Sequence, residues 1–388
     1  MLTKNIFYRN FKLNNSTQKK KIIKDFKELE NNSNQVYESL KKNYKDSFNN
    51  QFLLKFKNFN NFKLIGMGGS ILGAKAVYNF LEPKFKKFEF IDNFSEVNLK
   101  KDKRKKKKVT LVISKSGNTL ETISNISIHL KNNTKNVFLT ENKKNYLTLL
   151  AQKLKADVVS HNNYIGGRYS VLSEVGMLPA QLMGYNPKKF RRLNYLVKNK
   201  RFINSLIDSV SNILILNKKK TNSIILNYDE KSKELFDWYQ QLVGESLGKN
   251  NKGILPIVSK MPQDNHSLMQ YYLDGNKNNF FTLYFFKDDR SKKINKNLIL
   301  KSHNYLKNKS LNEILFSQFS ATEKVFKKKN IPFRSFIVRK RNEETLGELF
   351  TFFILETILL GKAMGIDPYN QPAVELIKKD TKKILKSF

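Results

Sequence analysis

The sequence predicts an α/β protein built on mainly parallel sheets. Short apolar, β-branched runs at residues 62–65, 88–91, 109–113 and 137–140 alternate with stretches of helical spacing. A repeated strand–helix order requires crossover connections, which place successive strands in parallel. Two of the helical stretches follow turns rich in glycine or hydroxyl side chains. Ligands of such sheets bind beyond the carboxyl ends of the strands, so these two turns are expected to face one site.

The composition bounds the class of protein. A chain of 388 residues allows two or three domains. The absence of cysteine excludes disulfides and thiolate metal sites and fits a reducing compartment. The longest apolar stretch is interrupted by Glu348, Glu356 and Lys362, so no membrane span is expected. The N-terminus lacks the pattern of a signal peptide, and we therefore expect a cytoplasmic protein without a membrane partner.

The formal net charge of +39 leaves several partners open. Such a charge is compatible with binding to nucleic acid or to an anionic membrane surface. The excess is mostly lysine, spread along the chain together with abundant Asn, Ile and Phe, a mixture typical of composition bias. One dense cluster, at residues 100–108, directly precedes a predicted strand, and we interpret it as a solvated loop. We expect no nucleic-acid partner, but the charge should attract phosphorylated anions.

The N-terminal region and the first glycine-rich turn come next along the chain. Residues 1–50 are polar, with helical patches at residues 22–40, and are predicted to form helices outside the sheet. The turn at residues 66–70, Gly-Met-Gly-Gly-Ser, can adopt positive φ and approach a ligand closely. Its third glycine is wrongly spaced for the dinucleotide-binding fingerprint.

The second turn, Ser-Lys-Ser-Gly-Asn-Thr at residues 114–119, joins a buried strand to a helix. Its hydroxyls, its lysine and the free N–H groups at the helix N-terminus would converge on one point, which suits a phosphate dianion. An ordinary strand-to-helix loop capped by Ser or Thr fits the same residues equally well. The spacing is not that of a Walker motif.

Three side chains downstream are candidates for chemistry, and each has a plain alternative. Arg168 follows two glycines that could aim its guanidinium, or it pairs with a surface carboxylate. Glu245 lies one helical turn after Gln241 among small and apolar residues, where loss of hydration would make it a stronger base. Its alternative is a surface carboxylate near a helix end. His266 opens a predicted helix, and a lone histidine is more often a structural hydrogen bonder than a catalyst.

The second half of the chain repeats the α/β pattern. Strands are predicted at residues 223–227, 281–286 and 333–338, followed by helices at residues 343–364 and from Pro372 onward. The other histidines, which are His129, His161 and His303, lie in unremarkable polar contexts. Because the four histidines show no metal-ligand spacing, no metal is expected.

Six motifs, taken in order, resemble those of the glucose-6-phosphate isomerase family, whose members are built from two sugar-isomerase (SIS) domains. The motifs are residues 68–70, residues 114–119, Gly-Gly-Arg-Tyr-Ser at residues 166–170, the segment from Gln241 to Lys249, His266, and Tyr-Asn-Gln-Pro-Ala-Val-Glu at residues 369–375 together with Lys378. The third and fourth are the specific ones, whereas the first two indicate only a sugar phosphate. The resemblance extends from residue 66 to residue 378.

The resemblance implies an architecture of two SIS-type αβα sandwich domains with mainly parallel sheets. The predicted divisions are an N-terminal helical region at residues 1–50, a first SIS domain at residues 51–190 with the phosphate loops, a second at residues 191–365 with the catalytic Glu and His, and a C-terminal helix at residues 366–388. The resemblance also implies a homodimer with composite active sites, because the equivalent histidine of the family reaches in from the neighbouring subunit.

The resemblance further implies a role for each motif residue. Glu245 would be the base that moves a proton between C1 and C2 of the opened sugar, and Arg168 would stabilise the enediolate. His266 and Lys378 would act in ring opening. The residues expected to bind the substrate or its phosphate are Ser70, Ser114, Lys115, Ser116, Thr119, Gln241 and Gln371.

The implied activity is the interconversion of glucose 6-phosphate and fructose 6-phosphate in glycolysis and gluconeogenesis. One carboxylate and one fixed cation suffice for this proton transfer, so no cofactor is expected. The alternatives are a bifunctional isomerase that also accepts mannose 6-phosphate, a non-catalytic SIS protein that senses a sugar phosphate, and a nucleic-acid binder. The chain departs from the family in being short, in its unmatched N-terminal region, and in Ala373 where glycine is common.

Overall fold

The computed structural model describes residues 1–11, 13, 16–94, 108–130 and 134–388. The lysine cluster at residues 100–108, predicted to be a solvated loop, lies outside the described residues except for Lys108, which begins a strand.

The described residues contain ten β-strands. They are β1 (Ile6–Arg9), β2 (Asn61–Gly66), β3 (Lys87–Ile91), β4 (Lys108–Ile113), β5 (Lys135–Glu141), β6 (Asp157–His161), β7 (Asn222–Asn227), β8 (Leu255–Lys260), β9 (Asn279–Phe286) and β10 (Phe333–Val338).

The described residues also contain fifteen α-helices, several of them a single turn long. They are α1 (Ser16–Asn31), α2 (Gln35–Ser39), α3 (Asn50–Leu54), α4 (Leu72–Leu81), α5 (Leu120–His129), α6 (Tyr146–Lys153), α7 (Glu174–Leu182), α8 (Pro187–Phe190), α9 (Leu193–Leu196), α10 (Lys200–Asn217), α11 (Lys233–Leu247), α12 (Met269–Asp274), α13 (Leu311–Lys328), α14 (Glu343–Met364) and α15 (Val374–Leu385).

The strands form two five-stranded sheets, one from β2 to β6 and the other from β1 together with β7 to β10. The first sheet has the order β3-β2-β4-β5-β6 and is parallel throughout. The second has the order β1-β10-β9-β7-β8 and is parallel except for β1, which runs antiparallel to β10. The predicted α/β class with two mainly parallel sheets is therefore confirmed. Each strand predicted from the sequence overlaps a strand of these sheets.

Three strands were missed, namely β1, β6 and β8, and all three lie at the edge of a sheet. The N-terminal region is therefore not only helical, because residues 6–9 pair with residues 335–338 of the second sheet. An edge strand packs against one neighbouring strand instead of two, so fewer of its side chains need to be apolar and its sequence is harder to recognise as a strand. In β8, Pro256 argues against a strand, but an edge position tolerates proline.

Helix α14 is the central helix of the fold. Every residue from Thr345 to Gly361 is buried, as expected for a helix that is surrounded by other elements. It packs against α10 and α11, and Phe350 meets the Trp238 ring edge-on with a centroid separation of 4.8 Å. Within the described ranges, no helix has both the length and the apolar run that crossing a membrane requires.

Helix α14 carries one half of a fully buried ion pair. Arg334 of β10 and Glu356 of α14 face each other with Nη2–Oε2 at 3.0 Å. The Arg334 Nε donates to Thr282 at 2.9 Å, and the Ser209 hydroxyl donates to Glu356 at 2.6 Å. Burial acts to lower the pKa of Arg334, but the surrounding groups, above all Glu356, together raise that pKa above its ordinary value. The pair ties the second sheet to the central helix.

Removing one member of this pair is expected to leave the other charge buried and unpaired. Arg334→Met should lower the free energy of unfolding by about 3–5 kcal/mol, measured by urea denaturation at neutral pH. The double variant Arg334→Met, Glu356→Leu should regain much of that loss. The control is Arg9→Met, which breaks the pair between Glu323 and Arg9, whose side chain is 55% exposed, and it should cost less than about 1 kcal/mol. Equal losses for the two single variants would contradict this account.

Candidate active site

The two glycine- and serine-rich turns lie side by side at one edge of the first sheet. Strands β2 and β4 are parallel neighbours, and Gly66 is paired with Ile113. Their carboxyl ends therefore release the turns at residues 66–70 and 114–119 in the same direction. Ser70, in the first turn, is partly exposed at this edge.

Glycine in the first turn allows three separate segments to meet. A Cβ atom on Gly69 would lie 2.1 Å from the carbonyl carbon of Gly167, next to Arg168. Gly68 has a φ of +51°, and a Cβ there would lie 2.8 Å from Nε2 of Gln241. Any larger residue would push apart the first turn, the loop of Arg168 and α11.

The second turn brings its predicted hydroxyl side chains together. Ser114 is buried, and its Oγ lies 2.9 Å from Oγ1 of Thr119, the residue that precedes α5. The Ser116 Oγ accepts a hydrogen bond from the Asn118 N–H at 3.2 Å. Gly117 has a φ of +67°, and a Cβ there would collide with the Asn145 side chain at 2.1 Å. Asn145, which the sequence analysis missed, therefore packs directly against this turn.

Lys115 points from the second turn toward the loop of Arg168. Its Nζ donates to the backbone carbonyl of Asn163 at 2.8 Å and lies 3.6 Å from the carboxylate of Glu141. Burial lowers the pKa of Lys115 below its ordinary value, although Glu141 opposes that shift. The Lys115 ammonium is therefore bound to Asn163 and Glu141, whereas the backbone of Lys115 belongs to the turn at residues 114–119.

Arg168 is buried and uses all of its donors. It stands in the 3₁₀ turn Gly167–Leu172, and its side chain is 1% exposed. Its Nη2 donates to the carbonyls of Pro368 at 2.7 Å and Asn370 at 3.1 Å. Its Nη1 donates to Gln371 Oε1 at 2.6 Å and to Glu245 Oε2 at 3.4 Å. The alternative in which Arg168 pairs with a surface carboxylate is therefore wrong, because its guanidinium lies inside the fold.

The fifth donor of Arg168 leads into a polar chain that the sequence analysis did not foresee. Its Nε donates to the Ser246 hydroxyl at 2.7 Å, and Ser246 lies 2.8 Å from the hydroxyl of Tyr169. The Tyr169 hydroxyl donates to the Pro368 carbonyl at 3.0 Å. Because that carbonyl can only accept, Ser246 must donate to Tyr169, which fixes the direction of the chain. Ser246 and Tyr169 therefore orient the guanidinium.

Glu245 lies between the guanidinium and Gln241 on α11. Gln241 Nε2 donates to its Oε2 at 3.3 Å, as the helical spacing of four residues predicts. One helical turn earlier, the Trp238 Nε1 donates to the Arg168 carbonyl at 3.0 Å, which attaches α11 to the loop of Arg168. The side chain of Glu245 is 29% exposed, so the desolvation expected from its apolar neighbours is only partial.

The structure brings Arg168, Glu245, Gln241 and Gln371 into contact, but it does not place His266 or Lys378 with them. His266 is exposed in the turn that follows β8. Glu245 lies near the start of β8, since a Cβ atom on the adjacent Gly244 would lie 3.8 Å from Cγ of Pro256. The six residues of β8 separate the two positions by about 16 Å along the strand.

Lys378 lies on α15, which has no buried residue. Its side chain is 65% exposed, and its Nζ donates to Glu375 at 2.6 Å.

The residues that the sequence analysis missed have no local signal of their own. Ser246 and Tyr169 belong to recognised motifs, but their pairing depends on the approach of two distant segments. Asn145 was detectable only as a residue that begins a helix, which it does by capping α6. Among the described residues, no group of three His, Asp or Glu side chains is arranged to hold a metal ion.

Comparison with known proteins gives concordant matches. The model of the phosphoglucose isomerase family matches residues 10–256. The chain is 32% identical over 363 residues to the glucose-6-phosphate isomerase of Methanocaldococcus jannaschii, covering 88% of this chain and 89% of that protein. It is 33% identical over 353 residues to the glucose-6-phosphate isomerase of Mycoplasmopsis pulmonis, covering 83% and 82%.

A solved structure shares the fold along most of its length. The glucose-6-phosphate isomerase of Chlamydia trachomatis superposes with a TM-score of 0.76 at 18% identity, covering 99% of this chain and 89% of that chain. At that identity the likeness concerns the fold alone. The family match and the two curated relatives together establish that this chain belongs to the phosphoglucose isomerase family.

Proposed function

We propose that the protein interconverts glucose 6-phosphate and fructose 6-phosphate, a step of glycolysis and gluconeogenesis. The observation that carries this function is the contact between a partly exposed carboxylate and a buried guanidinium, Glu245 Oε2 to Arg168 Nη1, at 3.4 Å. Moving a proton between two carbons of a sugar requires a base, and it creates a negative oxygen that a fixed cation stabilises. Family membership supports the same reaction.

The substrate phosphate is assigned to the turn at residues 114–119. Its Ser and Thr hydroxyls, together with the backbone N–H groups at the start of α5, supply donors for a dianion. The Lys115 ammonium lies nearby but is held by Asn163 and Glu141. A phosphate fixed there would supply binding energy that orients the reacting carbons without taking part in the chemistry. Ser70, in the adjacent turn, is assigned to the same end of the substrate.

The proton transfer is assigned to Glu245. In the open-chain aldose, a Glu245 oxygen removes the proton from C2, the C–H electrons form the C1–C2 double bond, and the C1 carbonyl oxygen becomes negative. Returning the proton to C1, with transfer of the O2 proton to O1, gives the ketose. Gln241 holds Glu245 from one side through its Nε2, at 3.3 Å. Gln371 lines the same site through its bond to Arg168.

Arg168 is assigned to the enediolate oxygen. Of the five contacts made by its guanidinium, the one to Glu245 is the longest, at 3.4 Å, and Glu245 is itself partly exposed. A substrate oxygen can therefore engage Nη1 while the other four bonds keep the guanidinium in place. Such a preorganised cation requires little rearrangement as charge develops.

Ring opening is assigned to His266 and Lys378, with His266 supplied by a second subunit. Within one chain, Glu245 and His266 lie near opposite ends of the strand β8. Exposed apolar side chains in the segment after β9, which are Leu298, Leu300 and Tyr305, support an interface with another copy. We therefore propose a cytoplasmic homodimer with composite sites.

The alternative functions have less support. The curated relatives quoted above are named glucose-6-phosphate isomerases, and nothing in the site favours mannose 6-phosphate. A non-catalytic sensor of sugar phosphates would need the turn at residues 114–119 but not the buried Arg168–Glu245 arrangement. Binding to nucleic acid rests on net charge alone.

Replacing the base should abolish the isomerase reaction while leaving the fold intact. Glu245→Gln keeps the shape of the side chain and is expected to lower kcat by about 10²–10⁴-fold, because the proton acceptor is lost. A coupled assay for each sugar phosphate and deuterium exchange at C2 measure this. The control is Glu313→Gln, since glutamine keeps the capping box of α13. Normal exchange in Glu245→Gln would remove this residue as the base.

Arg168→Lys tests whether the fork-shaped guanidinium is required. Lysine keeps the charge but cannot bind Ser246, Gln371 and the two carbonyls at once, so kcat should fall by about 10²–10³-fold. Arg9→Lys, at an arginine whose side chain is 55% exposed, is the matched control and should behave as wild type. An unchanged kcat in Arg168→Lys would show that a point charge suffices.

The composite site predicts complementation between two inactive variants. Glu245→Gln and His266→Ala subunits, mixed in equal amounts and allowed to exchange, should form heterodimers in which one of the two sites has both wild-type residues. Activity should then rise to about a quarter of the wild-type value, as follows from random pairing across a two-fold interface. Mixing either variant with itself is the control. No recovery, despite proven subunit exchange, would place both residues in one chain.

A further inference from the structure

His161 and Glu174 form a buried pair beside the loop that carries Arg168. His161 is the last residue of β6, Glu174 is the first of α7, and they are 2% and 1% exposed. The Nδ1 atom of His161 lies 2.6 Å from Glu174 Oε1, and its Nε2 lies 3.0 Å from the carbonyl oxygen of Ile165. The mechanism above uses neither residue, and a fully buried titratable pair is costly unless every group in it is paired.

The hydrogen bonds determine how many protons the pair holds. The carbonyl of Ile165 can only accept, so Nε2 of His161 carries a proton. Glu174 Oε1 also accepts the N–H of Asn162 at 2.7 Å, and its Oε2 accepts the Tyr44 hydroxyl at 3.0 Å. Burial opposes ionisation of Glu174, but the hydrogen bond and charge of His161 and the Asn162 N–H lower its pKa. The 2.6 Å hydrogen bond between Nδ1 and Oε1 needs one further proton, so the pair holds two protons and both ring nitrogens are bonded.

The charges around the pair are already matched to one another. Tyr44 is neutral, because burial and then Glu174 raise its pKa. A neighbouring carboxylate, Asp46, accepts two hydrogen bonds from Arg191, at 2.6 and 3.0 Å. Arg191 is therefore paired with Asp46, and Glu174 is bound by His161, Asn162 and Tyr44.

The pair holds both ends of a short loop. At the start of the loop, Glu174 accepts a hydrogen bond from the N–H of Asn162. At its end, His161 donates a hydrogen bond to the carbonyl of Ile165. Between them, the Asn163 carbonyl accepts the Lys115 ammonium at 2.8 Å. Arg168 follows Ile165 by three residues, across Gly166 and Gly167. Two glycines give the chain little stiffness of its own, so the direction in which Arg168 enters the site depends on where the loop is anchored.

We propose that His161 and Glu174 act as positioning residues for the isomerase reaction, a buried hydrogen-bonded pair that fixes residues 162–165 and thereby aims Arg168. The proposal rests on the function assigned above. His161 then affects kcat through the position of Arg168 and not through contact with the substrate.

The kinetic test replaces the ring donors while keeping a ring of similar size. His161→Phe should lower kcat by about 10- to 100-fold, since small misplacements of a catalytic group have effects of this order. KM should stay within about threefold, because the hydroxyls at residues 114–119 are untouched. Glu174→Gln, which keeps an oxygen for Asn162, should show a smaller loss of kcat. Tyr195→Phe, at an exposed tyrosine of α9 outside the site, is the control.

The second measurement does not depend on activity. In the wild-type protein labelled with ¹⁵N-histidine, Nε2 of His161 should carry a slowly exchanging proton, with its signal assigned by its loss in His161→Phe. In Glu174→Gln this proton should exchange faster, because the ring loses the carboxylate that orients it. A wild-type Nε2 proton that exchanges as fast as that of a free imidazole, or a folded His161→Phe protein with wild-type kcat, would overturn the proposal. An inactive wild type would instead contradict the isomerase function, and the ring-proton measurement would still decide the state of the pair.

Discussion

The buried guanidinium of Arg168 is the interaction on which the rest of the site depends. A charge removed from water is tolerated only when its donors are all satisfied, and here the five N–H groups find oxygen atoms from two distant parts of the chain. Helix α11 contributes Ser246 and Glu245, and the segment after α14 contributes two carbonyls and Gln371. The residue therefore joins the first sheet to the second half of the molecule. Positioning the cation and assembling the two halves are one structural requirement.

The glycines of the first turn follow from the same requirement. Arg168 can reach α11 only if the turn at residues 66–70 and the loop before Arg168 pass each other at backbone distance, and Gly69 lies against Gly167 for that reason. The sequence pattern suggested that glycine allowed close approach to a ligand. In the structure, the closest approach is to the protein's own backbone and to Gln241, so these glycines serve packing between segments first.

Much of the fold and part of the site were predictable from the sequence. Interior strands such as β4 and β9 are continuous apolar runs, because both faces of a parallel sheet are covered, and they were found. Three of the four edge strands, β1, β6 and β8, were not, since pairing by the backbone leaves little trace in the side-chain pattern. In the site, the motifs supplied Arg168, Glu245, Gln241 and Gln371. The supporting residues Ser246, Tyr169 and Asn145 were missed, because hydrogen bonds between remote segments have no spacing that a sequence displays.

The geometry of the second sheet gives a physical reason for the proposed pairing of subunits. The first sheet presents the carboxyl ends of its strands to the cluster around Arg168, whereas α11 brings Glu245 close to the amino end of β8 in the second sheet. His266 lies in the turn that follows the carboxyl end of β8. No small rearrangement within one chain brings the two together, because β8 is a hydrogen-bonded strand of the sheet and fixes their separation. A two-fold axis could place the turn that carries His266 in each subunit against the Arg168 cluster of the other subunit. Such an axis would complete both sites, since an isologous interface repeats each contact.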